Sequence, residues 1–92
     1  MEITFDPAKD ATNKRKHGCS LADAARFDWD TLIYEVDSRF DYGETRYRGL
    51  GYIGDRLHQV GFTFEGEAFR AISLRKANRR EVRAYEQGNA ST

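Results

Sequence analysis

Leu57-His58-Gln59-Val60-Gly61-Phe62-Thr63-Phe64-Glu65-Gly66-Glu67-Ala68-Phe69-Arg70-Ala71-Ile72-Ser73-Leu74 decides the fold. His58, Val60, Phe62 and Phe64 fall on one side of an extended chain, placing His58 at the end of an apolar stripe. Glu65-Gly66 marks a tight turn, and Ala68 to Leu74 returns as the next strand. Working towards the N-terminus, Gly54-Asp55 is a two-residue hairpin signal joining this strand to one over Thr45 to Ile53. From Thr31, Leu32, Tyr34 and Val36 alternate with Ile33, Glu35 and Asp37, and Asp41-Tyr42-Gly43-Glu44 forms the loop that follows. Four strands linked by short turns predict an antiparallel meander.

Helical signals flank this core. Ile3-Thr4-Phe5 reads as a short first strand, after which Asp6-Pro7 supplies an N-cap carboxylate and a proline at the first helical position. That helix runs to about Lys16. Gly18 tolerates the positive φ just past its end, and Lys14, Arg15, Lys16 and His17 suit the negative end of its dipole. Ser20 with Asp23 is a capping pattern for a second short helix, whose apolar side is Leu21, Ala24, Ala25 and Phe27. After the sheet, Asn78 caps a last helix with Glu81 as its reciprocal partner, and Gly88 ends it. Val82 and Tyr85 lie on the side opposite Arg79, Arg80 and Arg83, so they dock the helix. The expected class is α+β: a small antiparallel sheet of about four to five strands, two N-terminal helices and one C-terminal helix. The 92 residues suffice for one domain, 1–92, with a frayed tail over 88–92.

Composition excludes several functions. No apolar run approaches membrane-spanning length and the N-terminus lacks the pattern of a signal peptide, so the expected location is cytoplasmic. Cys19 is the only cysteine, which rules out an internal disulfide, and its simplest role is a small half-buried residue at a helix start. Neither the two histidines nor the acids of residues 27–44 follow a metal-ligand spacing, so no metal or other cofactor is expected. Gly49-x-Gly51-x-x-Gly54 spells a dinucleotide fingerprint, yet it lies in a hairpin with no helix after it; close backbone approach explains the glycines better.

The chain carries 15 basic and 15 acidic residues, so any charge argument rests on distribution. Arg46 and Arg48 share one strand, Arg70 sits on another, and Arg75, Lys76, Arg79, Arg80 and Arg83 crowd the last strand-helix junction. Guanidinium groups match phosphate oxygens, so this distribution points to nucleic acid, with Arg48, Arg70, Arg79, Arg80 and Arg83 as RNA-binding candidates. Such cations stabilise a pentacoordinate phosphorane without a metal. Arg46 and Arg75 are candidates for that task. Arginine stays charged, so proton transfer falls to His58, Lys76, His17, Tyr85 or Glu44, and His58 and Lys76 are the catalytic candidates among them. His58 equally suits a structural role beside its apolar neighbours. Tyr42, Tyr47, Tyr52 and Phe69 offer stacking surfaces for unpaired bases, though Phe62, Phe64 and Phe69 read first as core.

Three separated motifs are similar to those of a known family. Phe5-Asp6-x-x-Lys9-x-x-x-Asn13-x-x-Lys16-His17-Gly18, Arg39-x-Asp41-Tyr42-Gly43-Glu44-x-Arg46, and Ile72-Ser73-x-Arg75-x-Ala77 followed by Glu81 and Tyr85 resemble the BrnT toxins. Leu74 stands where a smaller residue is common. The resemblance implies a RelE-like fold and a metal-independent endoribonuclease toxin of a type II toxin-antitoxin system that inhibits translation and growth. It also implies neutralisation by a BrnA-like antitoxin, through which alone the chain would reach operator DNA. By position it matches Arg46, Arg75 and the His17 motif. The competing expectation is a non-catalytic basic module that binds nucleic acid or an acidic partner protein.

Overall fold

The computed structural model describes residues 1–90, and the side-chain surroundings of residues 1–88. Its elements, in order, are β1 (Ile3–Thr4), α1 (Pro7–His17), a 3-10 helix (Leu21–Arg26), β2 (Phe27–Val36), β3 (Tyr47–Ile53), β4 (Arg56–Glu65), β5 (Ala68–Lys76) and α2 (Arg79–Ala90). The class is α+β, with one five-stranded sheet in the order β1-β5-β4-β3-β2. The meander β2 to β5 is antiparallel, but β1 runs parallel to β5 through Ile3 opposite Phe69 and Thr4 opposite Arg70. The sheet is therefore mixed, not wholly antiparallel. Two residues carry too little pattern to declare a direction; α1 returns the chain so that β1 can lie on the far side of β5.

Turn chemistry accounts for the meander. Gly54 takes φ 61° in the β3–β4 hairpin, where a side chain would be strained, and Ile53 pairs with Arg56 across it. The next turn falls on Gly66 and Glu67, one residue later than expected, with Glu65 opposite Ala68. At Gly49 a Cβ would lie 3.0 Å from both the Ile33 carbonyl oxygen and the Tyr34 Cβ, so glycine lets β2 close on β3.

Each face of the sheet has its own core. Val60, Phe62, Phe69, Ala71 and Leu74 pack with Cys19, Leu21 and Ala24 beneath α1 and the 3-10 helix. Phe62 and Phe69 stack at 4.3 Å between ring centroids, each essentially excluded from solvent and each contributing about 2–3 kcal/mol of apolar burial. On the opposite face, Leu57, Ala77 and Tyr85 form a smaller cluster with Leu50, Tyr52 and Val82, which seats α2. The Tyr85 hydroxyl donates to the Thr31 carbonyl at 2.6 Å, fixing α2 over the middle of β2.

Three local expectations are revised. Residues 21–26 form a 3-10 helix, capped by the Ser20–Asp23 box, and Phe27 leaves it as the first residue of β2, its side chain in the core. The strand expected from Thr31 thus starts at Phe27, and its register shifts between Asp28 and Ile33. The shift is held locally: Thr31 Oγ1 donates to the Asp28 carbonyl and accepts from the Tyr52 amide. Finally, α2 continues through Gly88 to Ala90, so Gly88 does not end it; residues 91 and 92 of the tail expected over 88–92 lie outside the described residues.

Candidate functional site: an arginine-lined groove

Two cross-strand rows build the floor of a groove on the α2 face. Ile33, Leu50, Gln59 and Arg75 stand opposite one another across β2, β3, β4 and β5. One step along, Glu35, Arg48, Gly61 and Ser73 form the second row. Paired residues in an antiparallel ladder share a face, so Arg48 and Arg75 project to the same side. Gly61 contributes no side chain, and a Cβ there would meet the Ser73 hydroxyl at 2.7 Å. The row therefore dips between Arg48 and Ser73.

One wall is α2, through Glu81, Ala84 and Tyr85; the other is the loop between β2 and β3. The main cavity has a volume of about 390 Å³ and a smaller one, about 90 Å³, opens beside it. Arg39, Arg48 and Gln59 line both, while Arg46, Tyr42 and Ser73 line the smaller. Four guanidinium groups, of Arg39, Arg46, Arg48 and Arg75, therefore border one continuous depression.

Each is held by a carboxylate of the same chain. Arg75 donates through both terminal nitrogens to Glu81, at 2.8 and 2.9 Å, and Glu81 also accepts from the Asn78 amide at 2.9 Å. The capping box of α2 is completed by the Glu81 amide donating to Asn78 Oδ1. These bonds to Arg75, then the Asn78 amide, hold the Glu81 carboxyl below its ordinary range despite partial burial, and the pairing raises Arg75. Arg39 grips Asp37 through two bonds of 2.8 Å, and the Tyr42 hydroxyl adds a third at 3.1 Å. The Arg39 fork drives the Asp37 carboxyl far below the carboxylate range. Arg46 donates to Glu44 at 3.0 Å while its guanidinium lies 4.2 Å above the Tyr42 ring. Arg48 donates to Glu35 Oε1 at 3.0 Å, and Glu35 itself lines the main cavity.

The expected site residues divide by face. Arg46, Arg48 and Arg75 come together. His58 and Lys76 stand opposite each other one residue away from the Gln59–Arg75 pair, and the pleat turns them to the other face. His58 is buried there, its Nδ1 2.9 Å from the Arg56 carbonyl oxygen. Arg70 lies towards the opposite end of β5 from Arg75, paired with Glu65 at 3.1 Å. Arg79, Arg80 and Arg83 are exposed on the helix surface away from the docked Val82 and Tyr85 and do not line the groove. Of the aromatics, Tyr47 and Phe69 belong to the core of the other face, and Tyr52 packs edge-on against Tyr85.

The candidate list omitted Arg39, Glu35, Gln59 and Glu81. The register of the β3–β4 hairpin would have revealed Gln59, whereas Glu35 also requires the register of β2 on β3. No group of His, Cys, Asp and Glu among the described residues is arranged to hold a metal ion. No helix among them is long and apolar enough to cross a membrane.

Comparison with known proteins shows the family of the chain. The model of a family described as the ribonuclease toxin BrnT of type II toxin-antitoxin systems matches residues 5–81, which include the four groove arginines. Among solved structures, the crystal structure of the Brucella abortus ribonuclease toxin BrnT is similar, with 28% identity and a TM-score of 0.61. The match covers 86% of this chain and 99% of that one. A search of curated proteins returned no match.

Proposed function

The chain belongs to the BrnT family of ribonuclease toxins of type II toxin-antitoxin systems, and on that premise we propose that it cleaves RNA in the arginine-lined groove. The observation carrying this reading is the convergence of Arg39, Arg46, Arg48 and Arg75 on one depression. A phosphodiester seated over the Arg48–Gln59–Arg75 floor exchanges intramolecular carboxylates for phosphate oxygens, and the guanidinium groups stabilise the charge gained in the phosphorane. The RNA 2′-oxygen attacks the adjacent phosphorus as the bond to the 5′-oxygen breaks, yielding a 2′,3′-cyclic phosphate and a 5′-hydroxyl. Glu35, one of whose oxygens is engaged by Arg48, accepts the 2′-hydroxyl proton, and water in the open groove protonates the departing oxygen. Glu81 is less suited to be that base, since three N–H donors occupy its carboxylate.

In this reading Arg46, Arg48 and Arg75 serve the phosphate, and Arg79, Arg80 and Arg83 guide flanking RNA from the outer surface of α2. His58 and Lys76 serve the fold and the opposite surface. The wider reading includes a RelE-like arrangement, a cytoplasmic setting, arrest of translation and growth, and neutralisation by a BrnA-like antitoxin that carries the chain to operator DNA.

The decisive experiment incubates the purified chain with single-stranded RNA in chelator and analyses product ends. Cyclic phosphate ends are expected. Arg75→Ala should reduce kcat/KM by about 10²–10³-fold and Glu35→Gln by about 10²-fold or more, with the fold intact by circular dichroism. Intact RNA at large enzyme excess, or Arg75→Ala cleaving like the parent, would sink the proposal.

A further inference from the structure

The opposite face leaves one end uncovered. α1 and the 3-10 helix pack over β5 and β1. At the β2 end of that face, Tyr34, Val36 and Phe64 are 50%, 55% and 41% exposed. Tyr34 lies 5.7 Å from the Tyr47 ring and 6.5 Å from Phe64, so the exposed rings form one patch. Phe40, 67% exposed, is a separate ring on the following loop, 5.8 Å from Tyr42.

The same place is a free sheet edge. β2 is the terminal strand, and its stretch Ile33-Tyr34-Glu35-Val36 contains no proline or lysine to discourage pairing. Apolar patches of this kind on an open edge mark sites of association. Charge selects among occupants. Residues 27–44 contain six carboxylates and one arginine, and Glu65 and Glu67 adjoin Phe64. A second copy pairing β2 on β2 would bring these acids together, and RNA would meet the same repulsion.

We propose that the antitoxin docks here, adding to β2 an extended segment in which apolar residues alternate with lysine or arginine. This rests on the toxin reading above. Ile33, Tyr34 and Glu35 also line the groove, so a segment seated on the edge covers the groove mouth and engages Glu35. Antitoxin and RNA binding then exclude one another.

The test purifies this chain with the protein encoded beside it and measures their affinity, neutralisation of cleavage, and cleavage by the chain alone. Val36→Lys and Phe64→Lys, both at exposed positions of the patch, should each weaken the complex by about tenfold or more and restore cleavage in its presence. Cleavage by the chain alone should be retained. Added salt should weaken the complex as well. Unchanged affinity in both variants overturns the proposal, as does a salt-insensitive complex. A homodimer abolished by Val36→Lys would assign the edge to a second copy instead. Absence of cleavage by the parent chain would sink the ribonuclease reading, while the affinity of the two proteins would still report on the edge.

Discussion

Asn13 shows how one side chain substitutes for a missing strand. β1 pairs with β5 only as far as Arg70, so the edge of β5 beyond it lacks a neighbour. There the Asn13 amide donates to the Leu74 carbonyl at 2.8 Å, and its oxygen accepts from the Leu74 N–H at 3.0 Å. A second donation, at 2.9 Å, reaches the Cys19 carbonyl and ties the start of the 3-10 helix to α1. Asn13 is buried, so each bond replaces one that water cannot make. Asn13→Ala should lower stability by about 2–4 kcal/mol, read from the denaturant midpoint at unchanged m-value. Asn13→Asp should be comparably damaging, because it removes both donations and sets a carboxylate against two carbonyls. The sequence displays Asn13 within a recognisable motif but not this role, since its partner lies 61 residues away. His58 is the converse case. Its apolar stripe was legible and correctly placed it beside Val60 and Phe62, and that very placement keeps it out of the groove.

At the scale of elements, capping and turn chemistry were the readable signals because they are local. Asp6, Gly18, Ser20 and Asn78 each act within four residues of themselves, and each occupies the cap expected of it. The direction of β1 and the register of β2 on β3 depend on distant partners and were not readable, and the Arg75–Glu81 pair, six residues apart, was missed because Glu81 reads first as the capping partner of Asn78. α2 illustrates the mixture. Its docking residues were evident from helical spacing, whereas the hydrogen bond from Tyr85 to Thr31 spans 54 residues. That bond positions the helix wall of the groove as well as its core contacts. Tyr85→Phe keeps the edge-on ring contact with Tyr52 and removes only the hydroxyl. It should cost about 1–2 kcal/mol and lower RNA cleavage through looser positioning of Glu81 and Arg75. Hydrogen exchange should show faster opening of residues 79–88, with the amides of β4 and β5 unaffected.

For the whole molecule, net neutrality conceals an arrangement in which anionic side chains brace separate parts of the structure. Asp37 anchors the loop wall of the groove through Arg39, and Glu81 joins α2 to β5 through Arg75. Asp10 joins α1 to the 3-10 helix by accepting from the Leu21 amide at 2.8 Å and the Ser20 hydroxyl at 3.1 Å. All three carboxyls lie below their ordinary values of 3.8 for aspartate and 4.5 for glutamate, with hydrogen bonds as the first cause. A depressed carboxyl binds its proton more weakly in the folded state than in the unfolded state. Its stabilisation is therefore fully present above the unfolded value and is lost as pH falls through the folded one. Stability should be flat with respect to these groups at neutral pH, begin to decline as pH approaches 4.5, and continue declining below 3.8 as Asp37 resists protonation longest. Asp37→Asn should lower the neutral-pH stability and flatten the most acidic part of the profile, while Glu81→Gln should flatten its upper part. Chemical denaturation across pH, with carbon NMR titration of the three carboxyls, checks both magnitude and order. Asp37 titrating at or above the ordinary aspartate value would show that the Arg39 fork does not hold the loop in solution.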